Sequence, residues 1–183
     1  VVGGRGEKDE WRYDVSVDLG RNTVDYRVGN TLNPSLGQAS PTIFAAGGYE
    51  FGHIVTNLDV ARQYKNVTFA FGTEFRSENF IAIAGEEASY VGGGAQSFPG
   101  LQPANEVDAY RYNVGFYTDI TADITEDFLL GGAARYENYS DFGNTFTWKL
   151  NTRYKFASDA ISLRASVSTG FRAVSYTHLT LPT

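Results

Sequence analysis

Among its 183 residues the chain has no cysteine, no methionine and only two histidines. Without cysteine there is no disulfide framework and no thiolate to act as nucleophile or metal ligand, and the redox compartment leaves no mark. Without methionine Val1 cannot be a natural start, so the sequence reads as a piece of a longer protein. No apolar run approaches the ~20 residues of a transmembrane helix. That excludes a helical membrane protein but leaves open a β-barrel, whose strands are only half apolar. The mean hydropathy of −0.28 suits such strands.

Positive charge is also scarce. Fifteen basic residues face 21 acidic ones, for a net charge of −6 and a pI near 4.9, which argues against a nucleic-acid partner. Motifs for chemistry are missing as well. No Gly-x-Ser-x-Gly, P-loop or dinucleotide fingerprint occurs, and His53 has no cysteine to complete a metal site or a nucleophile–base pair. No enzymatic activity, metal or cofactor is expected. Gly92–Gly94 reads as loop flexibility, Glu86-Glu87 as a solvated loop and His53 as a rim or lumen residue.

Aromatics are plentiful at 15%, with 12 Tyr and 13 Phe, and 20 Gly against 5 Pro suits strands and turns. The dominant pattern is a period of two. Trp11-Arg12-Tyr13-Asp14-Val15-Ser16-Val17-Asp18-Leu19 sets apolar odd positions against polar even ones. Successive side chains of a strand point to opposite faces, so the segment has one apolar and one polar face.

About seven long strands are predicted on this basis. Val1–Gly6 is the tail of an earlier strand, with its turn at Glu7–Glu10. The strands are then Trp11 to about Gly20, Gly52–Ala61, Val67–Phe80, Ala109–Thr121, Phe128–Asn138, Thr145–Phe156 and Ile161–Arg172. Every charged residue within these cores falls on the polar register.

Alternation alone fits a soluble antiparallel sandwich equally well, since any half-buried sheet alternates. Three features favour a membrane barrel. Several strands far exceed the usual five or six residues, and eleven residues tilted ~45° rise about 25 Å, the height of a barrel's apolar band. Connections mostly alternate in length, which places Arg21–Gly48, Ile83–Val107 and Ser140–Asn144 outside. Turns at Gln63–Asn66, Ala122–Asp127 and Ala157–Ala160 then face the periplasm. Aromatics gather at strand ends, with Tyr110, Tyr112, Tyr136, Phe146, Trp148 and Phe171 outermost and Trp11, Phe128, Tyr154 and Phe156 at the other rim. An arginine at the lipid midplane costs ~2–4 kcal/mol, which accounts for the segregation of charge.

The lumen-lining residues expected from this register are Arg12, Asp14, Glu74, Arg76, Glu78, Arg111, Arg135, Glu137, Lys149, Arg153 and Arg164. Arg12 and Asp14 are able to pair inside the lumen, as are Glu74, Arg76 and Glu78. The candidates for ligand contact are aromatic and polar residues of the outer loops: Tyr26, Arg27, Tyr90, Gln96, Phe98 and Phe142.

Specific motifs then suggest a family. Glu137-Asn138-Tyr139-Ser140-Asp141-Phe142-Gly143, Lys149-Leu150 and Ser166-Val167-Ser168-Thr169-Gly170-Phe171-Arg172-Ala173 resemble the barrel of TonB-dependent outer-membrane receptors. Asn30–Gly37, Phe71–Arg76 and Gly94–Gly100 add to the likeness, which covers most of Trp11–Ala173. The resemblance implies an up-and-down antiparallel barrel of roughly 22 strands in the outer membrane. Residues 1–173 would be a partial barrel, without the plug domain and the closing strands. It further implies import of a scarce ligand, such as a ferric siderophore, cobalamin or a saccharide. The partners would be outer-membrane lipid, that ligand and, through the plug, the TonB complex. A passive porin-type channel and a soluble carbohydrate-binding sandwich are the alternatives.

At Val174, where the family has Pro-Ser, the pattern stops. Residues 174–183, with His178, resemble an in-frame translation of a transposase end joined to a sequencing adapter, and are expected not to be native.

Overall fold

The computed structural model describes residues 1–156 and 160–171. Most of the predicted turn at 157–160, Arg172 and the segment 174–183 lie outside the described residues.

Eight strands form one sheet, each hydrogen-bonded to the next in chain order. They are β1 (Val2–Lys8), β2 (Trp11–Gly29), β3 (Ile43–Tyr64), β4 (Val67–Ile83), β5 (Val107–Asp123), β6 (Phe128–Tyr139), β7 (Gly143–Phe156) and β8 (Ile161–Ser168). Among the described residues, helix is limited to α1 (Glu87–Tyr90) and two 3-10 turns at Pro34–Ala39 and Pro103–Asn105. The registers of β1 with β2 and of β5 through β8 are antiparallel. The expected all-β, up-and-down order is the one observed.

Several limits differ from expectation. The strand tail at Val1–Gly6 is a full strand, so there are eight rather than seven. The loop expected over Arg21–Gly48 shrinks to residues 30–42, because β2 continues to Gly29 and β3 starts at Ile43. Arg21–Val28 itself alternates and carries Thr23, Val24, Tyr26 and Val28, residues that fit a pleated surface. The strand does not stop at Gly20. Strands β5 and β7 each begin two residues early, at Val107 and Gly143, and β8 ends at Ser168 rather than Arg172.

The chain divides into two compact units. The first comprises Val1–Leu19, Ile54–Ser77 and the described residues from Arg111 onward, and the second comprises Gly20–His53 and Glu78–Tyr110.

In the first unit burial is inverted relative to a soluble sheet. Leu19 is 67% and Phe116 56% exposed, whereas Arg111 and Asn113 on the polar register are 8% and 2% exposed. Tyr13, Val15, Phe71, Phe75, Ile120, Leu130, Leu150 and Val167 are exposed too. The apolar register of every strand there meets solvent, which a soluble protein avoids on this scale.

Aromatic pairs sit at hairpin ends. Phe128 faces Tyr154 near the turn at 124–127, with ring centroids 6.2 Å apart, and Tyr136 faces Phe146 near the turn at 140–142. Trp11 meets Phe71 at 6.1 Å, and the Arg62 guanidinium lies 5.3 Å from the centre of the Trp11 ring. The β1–β2 turn has only two residues, Asp9 and Glu10, with Lys8 opposite Trp11. Both have positive φ, 52° and 68°, the hand that matches the twist of the flanking strands.

The second unit has an ordinary apolar core of Phe44, Ala46, Phe80, Ala82, Ala95 and Leu101, drawn from strands and loops alike. Gly47 holds φ +95°, and a Cβ there would lie 2.5 Å from the Ile83 carbonyl oxygen. The residue type is set by that close approach.

Candidate functional site

Among the described residues two arrangements of functional groups stand out, one in each unit. The first is a ladder of charge on the polar register of the first unit. Arg135 reaches Glu137 at 2.9 Å and Glu74 at 3.3 Å, and Arg76 donates to the same Glu74 oxygen at 3.3 Å. The Tyr139 hydroxyl donates to Glu137 at 3.2 Å. Tyr117 donates to Asp59. Looser pairs join Arg111 to Asp141 and Arg153 to Asp123, both at 3.8 Å. A concavity of about 600 Å³ on this unit is lined by Arg5, Arg12, Asp14, Asp59 and Tyr117 among others.

The pairing of Arg12 with Asp14 that their shared face allows does not occur. Asp14 pairs with Arg5, which lies directly across from it on β1, and Arg12 lies across from Glu7. Residues two apart on one strand are nearly 7 Å apart, whereas directly opposed residues on neighbouring strands have Cβ atoms about 5 Å apart. The cross-strand partner therefore wins. Glu74 and Arg76 do pair, and Glu78 is buried. Lys149 stands exposed opposite Ser168, and Arg164 lies opposite Arg153.

The sequence pattern alone did not reveal Arg5, Asp59, Tyr117 and Tyr139 as members of this face. Parity would have found them, since Tyr117 shares the odd register of Arg111 and Asp119, and Tyr139 that of Glu137.

The second arrangement is an aromatic cluster in the second unit. Tyr26 lies 5.5 Å from Phe98 and 5.9 Å from Tyr49, and Tyr49 stacks on Phe80 at 5.7 Å. Tyr26 and Phe98 are 38% and 42% exposed, so the outer half of the cluster is open to contact.

Of the six candidate ligand residues, only Tyr26 and Phe98 come together. Tyr26 and Arg27 lie on β2, not on a loop, and being adjacent they point to opposite faces. Tyr90 is half-buried at the end of α1, and the Gln96 backbone N–H donates to the Leu32 carbonyl at 3.1 Å. Phe142 belongs to the first unit, where it stacks on Tyr139 at 4.2 Å and meets Phe171 at 5.5 Å. Tyr49 and Phe80 are cluster members that the sequence pattern did not single out.

The loops 30–42 and 84–106 are packed together. Asn33 has no solvent exposure. Preceding Pro34 it is confined to extended backbone, and its side-chain oxygen caps the 3-10 turn by accepting from the Ser35 N–H at 3.0 Å. Its amide donates to the Ala88 carbonyl at 2.9 Å and the Val91 carbonyl at 2.8 Å.

Among the described residues no group of three or more His, Cys, Asp or Glu could hold a metal ion, and no helix is long and apolar enough to cross a membrane. The two arrangements offer hydrogen bonding and stacking rather than bond-breaking chemistry.

Comparison with known proteins agrees with this. Residues 3–183 match the family model described as TonB dependent receptor-like, beta-barrel. Over 129 residues the chain is 27% identical to the Vitamin B12 transporter BtuB of Vibrio vulnificus (strain CMCP6). That stretch covers 69% of this chain but 19% of the relative. No solved structure matches.

Proposed function

The chain belongs to the TonB-dependent receptor β-barrel family, and from that premise we propose that it forms part of the wall of an outer-membrane receptor that imports a scarce ligand by energy-coupled transport. It is a receptor segment and not an enzyme. The observation that carries the membrane reading is the inverted burial of the first unit. Its apolar register is exposed on every strand while Arg111 and Asn113 are enclosed on the other face. Lipid is the solvent that stabilises such an arrangement, since it accepts the apolar face and excludes charge from it.

The polar face, with its ladder from Glu74 to Tyr139, then lines the lumen. The loops 30–42 and 84–106 stand on the outer side, where Tyr26 and Phe98 offer stacking surface to a ligand that passes from water to protein. A metal chelate, a cobalamin or a saccharide each present faces that such rings contact. Transport is coupled through TonB acting on a plug domain outside these residues. We read residues 174–183 as foreign sequence, which an uninterrupted gene tests by showing Pro-Ser after Ala173.

The test uses the full-length receptor in a Gram-negative host lacking its own cobalamin transporter, with cyanocobalamin as the probe. Membrane-embedded protein and TonB-dependent uptake are expected. Uptake that persists without TonB points to a passive channel. Recovery of the receptor in the detergent-free soluble fraction points to the sandwich, and either result defeats the proposal.

A further inference from the structure

We propose that Asn33 is a positioning residue that clasps the loops 30–42 and 84–106 into one body, so that Phe98 keeps its place beside Tyr26 and the two loops open and close together. The functional consequence rests on the reading that these loops face the ligand. The mechanical claim does not.

Surface loops ordinarily fluctuate independently, because few buried contacts link them. Here the link is buried and satisfied. Asn33 has no exposure, and each of its polar groups is used. Its backbone N–H donates to Ser40 Oγ at 2.7 Å, its side-chain oxygen accepts from Ser35, and its amide donates to Ala88 and Val91. No shorter or charged side chain fulfils all of these roles. Aspartate keeps the acceptor but loses both donors, and leucine loses everything but volume.

The clasp is transmitted onward by backbone bonds. Ala88 and Val91 bracket Ser89, which is itself fully buried. The Ser89 carbonyl accepts from the N–H groups of both Ala95 (3.0 Å) and Gly100 (2.9 Å), which bracket Phe98. Phe98 is thus suspended from α1, and α1 from Asn33. A second contact runs parallel to it, with the Gly93 N–H donating to Ser35 Oγ at 2.9 Å. Gly92, at φ +65°, lets the chains meet there, since a Cβ would fall 2.3 Å from that same oxygen.

Hydrogen exchange on the full-length receptor tests the clasp without any ligand. Asn33→Leu and Asn33→Asp are each expected to raise amide exchange in residues 31–40 and 88–101 together, on the order of tenfold, with the strands unaffected. A disulfide lock is the converse arm. A Cβ at Gly93 would lie 3.8 Å from Ser35 Oγ, so the Ser35→Cys, Gly93→Cys pair can bridge. Oxidised, it should slow exchange across both loops, and in the Asn33→Leu background restore it. Loosening confined to 31–40, or slowing confined to the residues beside the lock, overturns the proposal. Should Asn33→Leu fail to fold, Asn33→Asp and the lock decide the matter in the same way. A receptor that exchanges as expected but is recovered in the detergent-free soluble fraction, or takes up the probe without TonB, leaves the clasp standing and removes the import reading alone.

Discussion

Tyr117 lays its ring over Gly72 and donates its hydroxyl to the Asp59 carboxylate, tying three neighbouring strands together on the polar face. A Cβ at Gly72 would lie 2.6 Å from both the Tyr117 ring and the Asp59 carboxylate. Glycine at this position is a seat for the ring, the strand device in which an aromatic side chain covers the gap that glycine leaves. Gly72→Ala should therefore cost about 1–3 kcal/mol through overpacking. Urea unfolding of the full receptor in micelles, followed by tryptophan fluorescence, measures it. An unchanged midpoint would show that the ring has room to move.

The exposed apolar register predicts a large asymmetry between adjacent positions. Leu150→Arg places a charge on the exposed apolar register beside Gly132 and, on the membrane reading, should cost ~2–4 kcal/mol in bilayer insertion. Lys149→Leu, one residue away on the polar face, should change insertion little. Equal effects of the two in a liposome folding titration would contradict the assignment of faces.

The ladder around Arg135 should behave as a network rather than a pair. Arg135 is partly solvated, so Arg135→Met should cost about 1 kcal/mol, chiefly by leaving Glu74 and Glu137 without their shared cation. Glu137→Gln in the same background should recover part of the loss, and added salt should shrink the difference. A double-mutant cycle with no coupling energy argues against the shared arrangement.

In the β1–β2 turn, glutamate occupies a left-handed conformation at Glu10, φ 68°. That conformation costs an L-residue ~1–2 kcal/mol, and glycine returns about half of the gain as chain entropy. Glu10 also pairs with Arg62 at 3.2 Å, so Glu10→Gly should stabilise the receptor by ~0.5–1 kcal/mol relative to Glu10→Ala, which loses the same pair, read as a higher urea midpoint with unchanged slope.

On the reading that the receptor takes cobalamin, Tyr26→Ala and Phe98→Ala should each weaken cyanocobalamin binding about tenfold by loss of ring contact, with the pair less than additive. Arg27→Ala, on the opposite face of β2, should leave affinity unchanged. Isothermal titration of the solubilised full receptor separates these cases, and an Arg27 effect larger than that of Tyr26 reverses the geometry.

What was legible in the sequence depended on how local the cause was. The alternation at Trp11–Leu19 identified both faces of β2, and the closing motif around Tyr139–Gly143 identified the family, because each is carried by a few consecutive residues. The extension of β2 through Arg21–Gly29 was hidden at Gly20, where the alternation changes phase and the apolar residues pass from odd positions (Val15, Val17, Leu19) to even ones (Val24, Tyr26, Val28). Pairing with β3 overrides that local signal.

The sequence by itself thus determined which face of each strand is apolar and which carries charge, because the period of two is a property of the extended backbone alone. Tertiary structure decided the partners. It gave Asp14 to Arg5 instead of Arg12, brought Tyr26 to Phe98 while turning Arg27 away, and set Asn33 against α1. Those outcomes follow from register and from contacts between residues far apart in the chain, which no local pattern encodes.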